Sequence, residues 1–283
     1  MNVAPDVETD HDFFDHQPGL SHYQLLGHGP TIVLVAGATL PLPVWEPLLE
    51  PLLAAGFQVL RYDLPGRGHS AAEHLGTDFE AHILQLHDLL TGLPLSPALH
   101  IVGLASGALL AAAYAAKHPQ RVASVGLLAP DGAATHFTFS ERLLSAPVVG
   151  ELLMGPLAER ILLARVPRYS KRADVQDFVR KLLAYALTGP DFRSAVLATV
   201  RGFPLHEGEA VYQALAATGI PTRIIWGGED RITPPLAAPR FVAMFGADAL
   251  SIIPCVGHLP FVEQPADVAA MLGQFFKAHA VPA

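Results

Sequence analysis

The chain of 283 residues contains a single cysteine, Cys255, which excludes an intrachain disulfide and leaves no thiolate set for a metal. No apolar run reaches 18 residues without a turn-former, so no segment reads as a membrane span and no membrane partner is expected. The first twenty residues, MNVAPDVETDHDFFDHQPGL, lack an apolar core of the kind a secretory leader needs; the cytoplasm is the expected location. Basic residues are few, 18 against 26 acidic ones for a net charge of −8, which argues against a nucleic-acid partner or an anionic surface. The one basic cluster, Arg165 to Arg172, reads as a solvated loop or helix end. Fourteen histidines are present, but without an H-E-x-x-H motif or paired Cys/His spacing, so neither a metal site nor a cofactor is expected.

What is there is apolar material for one large core, 51% of the residues, arranged in alternating elements. Residues 1 to 20 read as an arm, and Tyr23 to Leu26 as a short strand closed by Gly27 to Pro30. Thr31 to Ala36, TIVLVA, is the continuous apolar run of a strand buried on both faces. Helix (Val44 to Ala55), strand (Phe57 to Tyr62), helix (Phe79 to Leu90) and strand (Leu99 to Val102) follow, then an Ala-rich helix and the strand Ser124 to Ala129. This alternation predicts an α/β fold, a mostly parallel central sheet with helices on both faces joined by right-handed crossovers. From 133 to 205 only helical patterns appear, at Glu141 to Leu144, Glu151 to Leu163, Val175 to Ala186 and Phe192 to Val200, with breaks at Pro147, Gly155-Pro156, Pro167 and Gly189-Pro190. The expected division is therefore an arm (1–20), a core (21–132 and 206–283) and an all-helical cap insertion (133–205).

The chemistry centres on Leu99 to Lys117, LHIVGLASGALLAAAYAAK. Gly103 and Gly107 have the spacing of a nucleophile elbow, G-x-Nu-x-G, between a strand and a helix, with Ala105 at the nucleophile position. The glycines are needed because the central residue is strained and a Cβ two residues to either side would collide. Alanine, however, cannot attack a substrate. Ser106, the next residue, starts the helix and leaves its axis at a different angle, which suits it poorly as a nucleophile.

Asp230 lies in a loop just past a predicted strand, where a carboxylate can orient a histidine, and His258 follows Gly257 after the last strand. Asp131 competes for the acid role because it also ends a strand, whereas Glu229 is expected to face solvent.

Taken together, the elbow, Gly37 with Trp45 eight residues on, Asp63-x-Pro-Gly-x-Gly-x-Ser70, Trp226-Gly-Gly-Glu-Asp230 and Val256-Gly-His258 with Glu263-x-Pro265 resemble the motifs of a capped α/β-hydrolase. The resemblance covers residues 21 to 280 and implies the chain order nucleophile, acid, histidine at 105, 230 and 258. It also implies an oxyanion hole from the backbone N–H groups of Ala38 and Ser106. The family's usual histidine before Gly37 is here Ala36.

The implied activity is serine hydrolysis of a small apolar ester or lactone through an acyl-enzyme, with the nucleophile replaced by Ala105, as in an inactivated, substrate-trapping variant. Two alternatives are a C–C bond hydrolase of the meta-cleavage-product type, acting on a ketone, and a non-catalytic ligand-binding member of the fold. An aspartate parent, as in dehalogenases and epoxide hydrolases, fits less well because Ser106 stands where G-x-D-W-G has tryptophan. Phe139, Leu144, Ile232 and Leu259 are the expected pocket residues. The sequence does not specify an oligomeric state.

Overall fold

The computed structural model describes residues 12–16, 19–72, 76–133 and 139–280, with side chains from Arg142 onward in the helix that begins at Phe139. The strands are β1 (Asp12–Asp15), β2 (Leu20–Leu26), β3 (Thr31–Val35), β4 (Gln58–Tyr62), β5 (Leu99–Leu104), β6 (Val122–Leu128), β7 (Thr222–Gly227) and β8 (Leu250–Ile253). The helices of the first half are α1 (Glu46–Ala54), α2 (Phe79–Gly92) and α3 (Ser106–Lys117). A helical run follows, α4 (Phe139–Ser145), α5 (Val149–Met154), α6 (Ala158–Tyr169), α7 (Ala173–Ala186) and α8 (Phe192–Gly202). The chain closes with α9 (Glu209–Ala217), α10 (Ala238–Phe245), α11 (Pro260–Glu263) and α12 (Pro265–Ala278).

The eight strands form one sheet in the order β1-β2-β4-β3-β5-β6-β7-β8. Pairing is antiparallel for β1 with β2 and for β2 with β4, and parallel from β4 to β8. Every residue of β3 and β5 is buried, as the uninterrupted apolar runs require of strands covered on both faces. Two residues of β5 an odd number of positions apart show the two layers. His100 stacks on Phe276 of α12, with ring centroids 4.7 Å apart, whereas a Cβ at Gly103 would lie 2.6 Å from Ala108 Cα of α3. Alternation along a strand therefore puts α12 on one face and α3 on the other.

The structure departs from expectation at two places. Residues 12–15, assigned to the arm, pair with β2 as an edge strand; the polar ends of DFFD hid a four-residue strand. The break expected at Gly155-Pro156 is present and divides the Glu151 to Leu163 pattern into α5 and α6. Conversely, α6 continues through Pro167 to Tyr169 instead of breaking there. Pro167 lies in the final turn, so its missing N–H removes only one intrahelical bond at an end that frays in any case.

Candidate active site

The elbow adopts the backbone its glycines require. Ala105 has φ 50° and ψ −118°, a strained conformation for a residue with a Cβ, and is only partly buried at the tip between β5 and α3. A Cβ at Gly103 would sit 2.4 Å from Gly107 O, and one at Gly107 would sit 2.4 Å from both Val35 O and Ala36 O. The turn is pinned further by Ala105 N–H on Leu128 O at 3.0 Å and Asp131 N–H on Ala105 O at 3.2 Å.

The structure brings His258 and Asp230 together. His258 Nδ1 lies 2.8 Å from Asp230 Oδ2, and both side chains are buried. The other carboxylate oxygen, Oδ1, accepts the Ile232 and Thr233 N–H groups at 2.8 and 2.9 Å. Burial alone would raise this carboxyl, but the charge and hydrogen bond of His258 and the two amides outweigh it and hold it below the ordinary carboxylate value. Thr233, which the sequence reading missed, joins the pair. Its Oγ1 lies 2.9 Å from Asp230 Oδ2, 3.2 Å from His258 Nδ1 and 3.0 Å from Ala129 O. A threonine three residues after a strand-end aspartate is an ordinary turn residue, so nothing local marked it.

Asp131 takes a different place: its Oδ1 accepts the Gly132 N–H at 2.8 Å, and its carbonyl accepts the Tyr212 hydroxyl at 2.5 Å. Glu229, expected to face solvent, pairs with Lys171 at 2.8 Å.

The expected oxyanion loop is close to the elbow but not open. Ala38 N–H donates to Ser106 Oγ at 2.9 Å, so this expected donor is already engaged; among the described residues Ser106 N–H has no acceptor. Ser106 is 3% exposed and serves as a partner of the loop. Behind the loop lies Arg67, a fully buried guanidinium without a carboxylate partner among the described residues. Its Nε donates to Ala38 O at 3.0 Å, and its terminal nitrogens donate to Pro65 O, Ala195 O and Thr199 Oγ1, tying the loop to α8. Burial pulls its pKa down to about 9. His82 stands 3.4 Å away and is held neutral, its pKa pushed down to about 3 by burial and then by the Arg67 charge.

The rest of the Asp63 motif is structural: the Asp63 carboxylate receives Leu42 N–H at 2.7 Å and contacts His22 Nδ1 at 2.6 Å. Trp45 stacks on Phe261 with centroids 4.8 Å apart.

Of the expected pocket residues, Leu259 is fully buried at the start of α11, and Ile232 is partly buried beside Asp230. Leu144 is buried on α4, which packs against α5 and α8. The side chain of Phe139 lies outside the described residues. A cavity of about 620 Å³ lies between α5, α8 and residues 77–78, lined by Met154, Arg193, Leu197 and Arg201 among others, and none of the expected site residues lines it. Among the described residues no cluster of His, Cys, Asp or Glu is arranged to hold a metal, and no helix is long and apolar enough to cross a membrane.

Comparison with known proteins bears on the family and the fold. A curated relative, the dihydrolipoyllysine-residue acetyltransferase component of the acetoin cleaving system from Cupriavidus necator, is 32% identical over 87% of this chain, which spans 63% of that protein's length. The 2-hydroxy-6-oxononadienedioate/2-hydroxy-6-oxononatrienedioate hydrolase 2 of Pseudomonas putida is 30% identical, with 84% of each chain covered. Among solved structures, a thermophilic esterase from Thermogutta terrifontis superposes with a TM-score of 0.79 at 24% identity, covering 96% of this chain and all of that one. The model of the alpha/beta hydrolase family matches residues 32–271, and the chain therefore belongs to that family.

Proposed function

We propose that this chain carries a serine-hydrolase site for a small apolar ester or lactone in which Ala105 has taken the place of the nucleophile. It then binds its carbonyl substrate without forming an acyl-enzyme. The observation that carries the reading is the His258–Asp230 contact of 2.8 Å, kept complete beside a strained elbow whose tip is a methyl group. His258 would use Nε2 as the base while Asp230 fixes the tautomer and stabilises the imidazolium. With a hydroxyl at 105, the oxygen would attack the carbonyl carbon and pass its proton to His258. The imidazolium would then protonate the departing alkoxide, and water would repeat the sequence to release the acid.

The test is Ala105→Ser. A burst with aryl esters and fluorophosphonate labelling at residue 105 are expected. A folded variant inert to esters, lactones and vinylogous diketones would overturn the reading in favour of a non-catalytic ligand-binding protein. A second reading, C–C bond hydrolysis beside a ketone, draws on the Pseudomonas putida relative named above. Cleavage of a vinylogous diketone without ester turnover by the same variant would select it.

A further inference from the structure

Four residues at the end of α6, Arg168, Tyr169, Lys171 and Arg172, grip the loops of the site from outside. We infer that this segment, Arg168 to Arg172, sets the position of His258 and its acid, with Tyr169 as the positioning residue. The inference rests on the site proposed above.

As the last residue of α6, Tyr169 has a carbonyl without an intrahelical partner, and it accepts the N–H of His258 at 2.7 Å. That approach needs a glycine beside it: a Cβ at Gly257 would lie 2.1 Å from Tyr169 O and 3.0 Å from Ser170 Cα. The phenol ring meets the imidazole edge-on, with centroids 5.4 Å apart at 74°, and its hydroxyl lies 3.2 Å from Thr39 Oγ1 in the oxyanion loop. One buried side chain thus touches both the base and the loop that faces it.

The neighbours act on the residues flanking the two groups. Arg168 donates to Arg231 O, directly after Asp230, at 2.6 and 3.0 Å, and Lys171 pairs with Glu229, directly before it. Arg172 donates to Glu263 O at 2.8 Å, and Glu263 in turn accepts the Gly257 N–H at 2.8 Å. Exposed pairs such as these contribute little to stability. Their common feature is that each ends within one residue of Asp230 or on the backbone of the residue whose carboxylate holds Gly257. The solvated basic run at the end of α6 is therefore also a clamp, and this segment takes part in aligning the base.

Reaction geometry is sensitive to displacements of about 1 Å, which cost on the order of 100-fold in rate. In the Ala105→Ser chain, Tyr169→Leu is expected to lower kcat about 10- to 100-fold with KM changed by less than about threefold. Tyr169→Phe, which keeps the ring, is expected to recover most of that loss. In the chain with Ala105 in place, 15N NMR of the His258 imidazole is expected to show a loss of the single Nδ1–H tautomer in Tyr169→Leu and its retention in Tyr169→Phe. An effect of Tyr169→Leu confined to KM would overturn the inference by making Tyr169 a pocket-wall residue. So would an unchanged imidazole spectrum in a folded Tyr169→Leu protein. If Ala105→Ser proves inert, the serine-hydrolase reading falls and the NMR arm still decides the positioning role.

Discussion

At the carboxyl end of the sheet, the turn from Gly103 to Gly107 and the loops carrying Asp230 and His258 are held by different physics. The elbow is fixed almost wholly by backbone: two glycines admit neighbouring carbonyls within the space of a methyl group, and Ala105 is held at positive φ. The loops are fixed by side chains, with Asp230 bonded to His258, Thr233 and two amides, and Glu263 holding Gly257. An elbow specified by glycines keeps its shape with nothing reactive at its tip. A histidine–carboxylate pair exists only while particular side chains persist. The comparison therefore separates the scaffold of catalysis from its chemistry, and it can be tested from either side.

The largest effect should come from the side-chain half. In the Ala105→Ser chain, Asp230→Asn is expected to lower kcat by about 10⁴-fold, because an amide favours the wrong imidazole tautomer, while the fold persists. Asp131→Asn should change kcat far less, and steady-state kinetics on one aryl ester would decide between the two carboxylates. The backbone half should break differently. Gly103→Ala and Gly107→Ala each place a Cβ 2.4 Å from backbone oxygen, so a loss of more than about 3 kcal/mol or failure to fold is expected, read by chemical denaturation.

A smaller effect follows from buried histidines elsewhere in the molecule. His82 and His100 are held neutral, with pKa values pushed down to about 3 and about 4, chiefly by burial in both cases. The unfolded chain binds protons at these rings near pH 6.5 and the native one does not, so their contribution to stability is complete above that pH and declines as pH falls below it. Each ring adds at most about 1.4 kcal/mol per pH unit to that decline. Urea unfolding at pH 7 and pH 5 should reveal the slope, and His100→Gln should flatten it.

The smallest effect belongs to the tip. Ala105→Gly relieves a positive φ at some cost in chain entropy, and a net gain of about 1 kcal/mol or less in stability is expected by thermal unfolding.

Much of this arrangement was legible in the sequence because it rests on local signals. Apolar runs such as TIVLVA mark buried strands, and paired glycines between a strand and a helix mark the elbow. Positions 230 and 258 each lie just past a predicted strand, but so does Asp131, and it was the resemblance that pointed to 230 as the partner of 258. What could not be read depends on contacts between distant segments. Thr233 and Tyr169 have ordinary local settings, and their significance comes from what folds against them. Arg67 illustrates the limit: an arginine between glycines looks like a surface loop residue, yet it is fully buried and bonds partners on α8 that are 128 and 132 positions away. The basic side chains at 168–172 lie exposed at a helix end, as their charge suggests, but charge alone does not show that such a run also holds neighbouring loops.

If Ala38 N–H is the donor to a ligand oxygen, as the proposed site has it, its hydrogen bond to Ser106 Oγ would make the arrival of that oxygen an exchange instead of an addition. A neutral carbonyl displacing the hydroxyl trades one ordinary hydrogen bond for another and gains little. An oxygen that has acquired negative charge gains more, because charge-assisted bonds are roughly twice as strong. In the proposed site the internal competitor would thus remove most of the advantage of a resting substrate and leave that of an oxyanion, so that this latch would grade its occupants by charge.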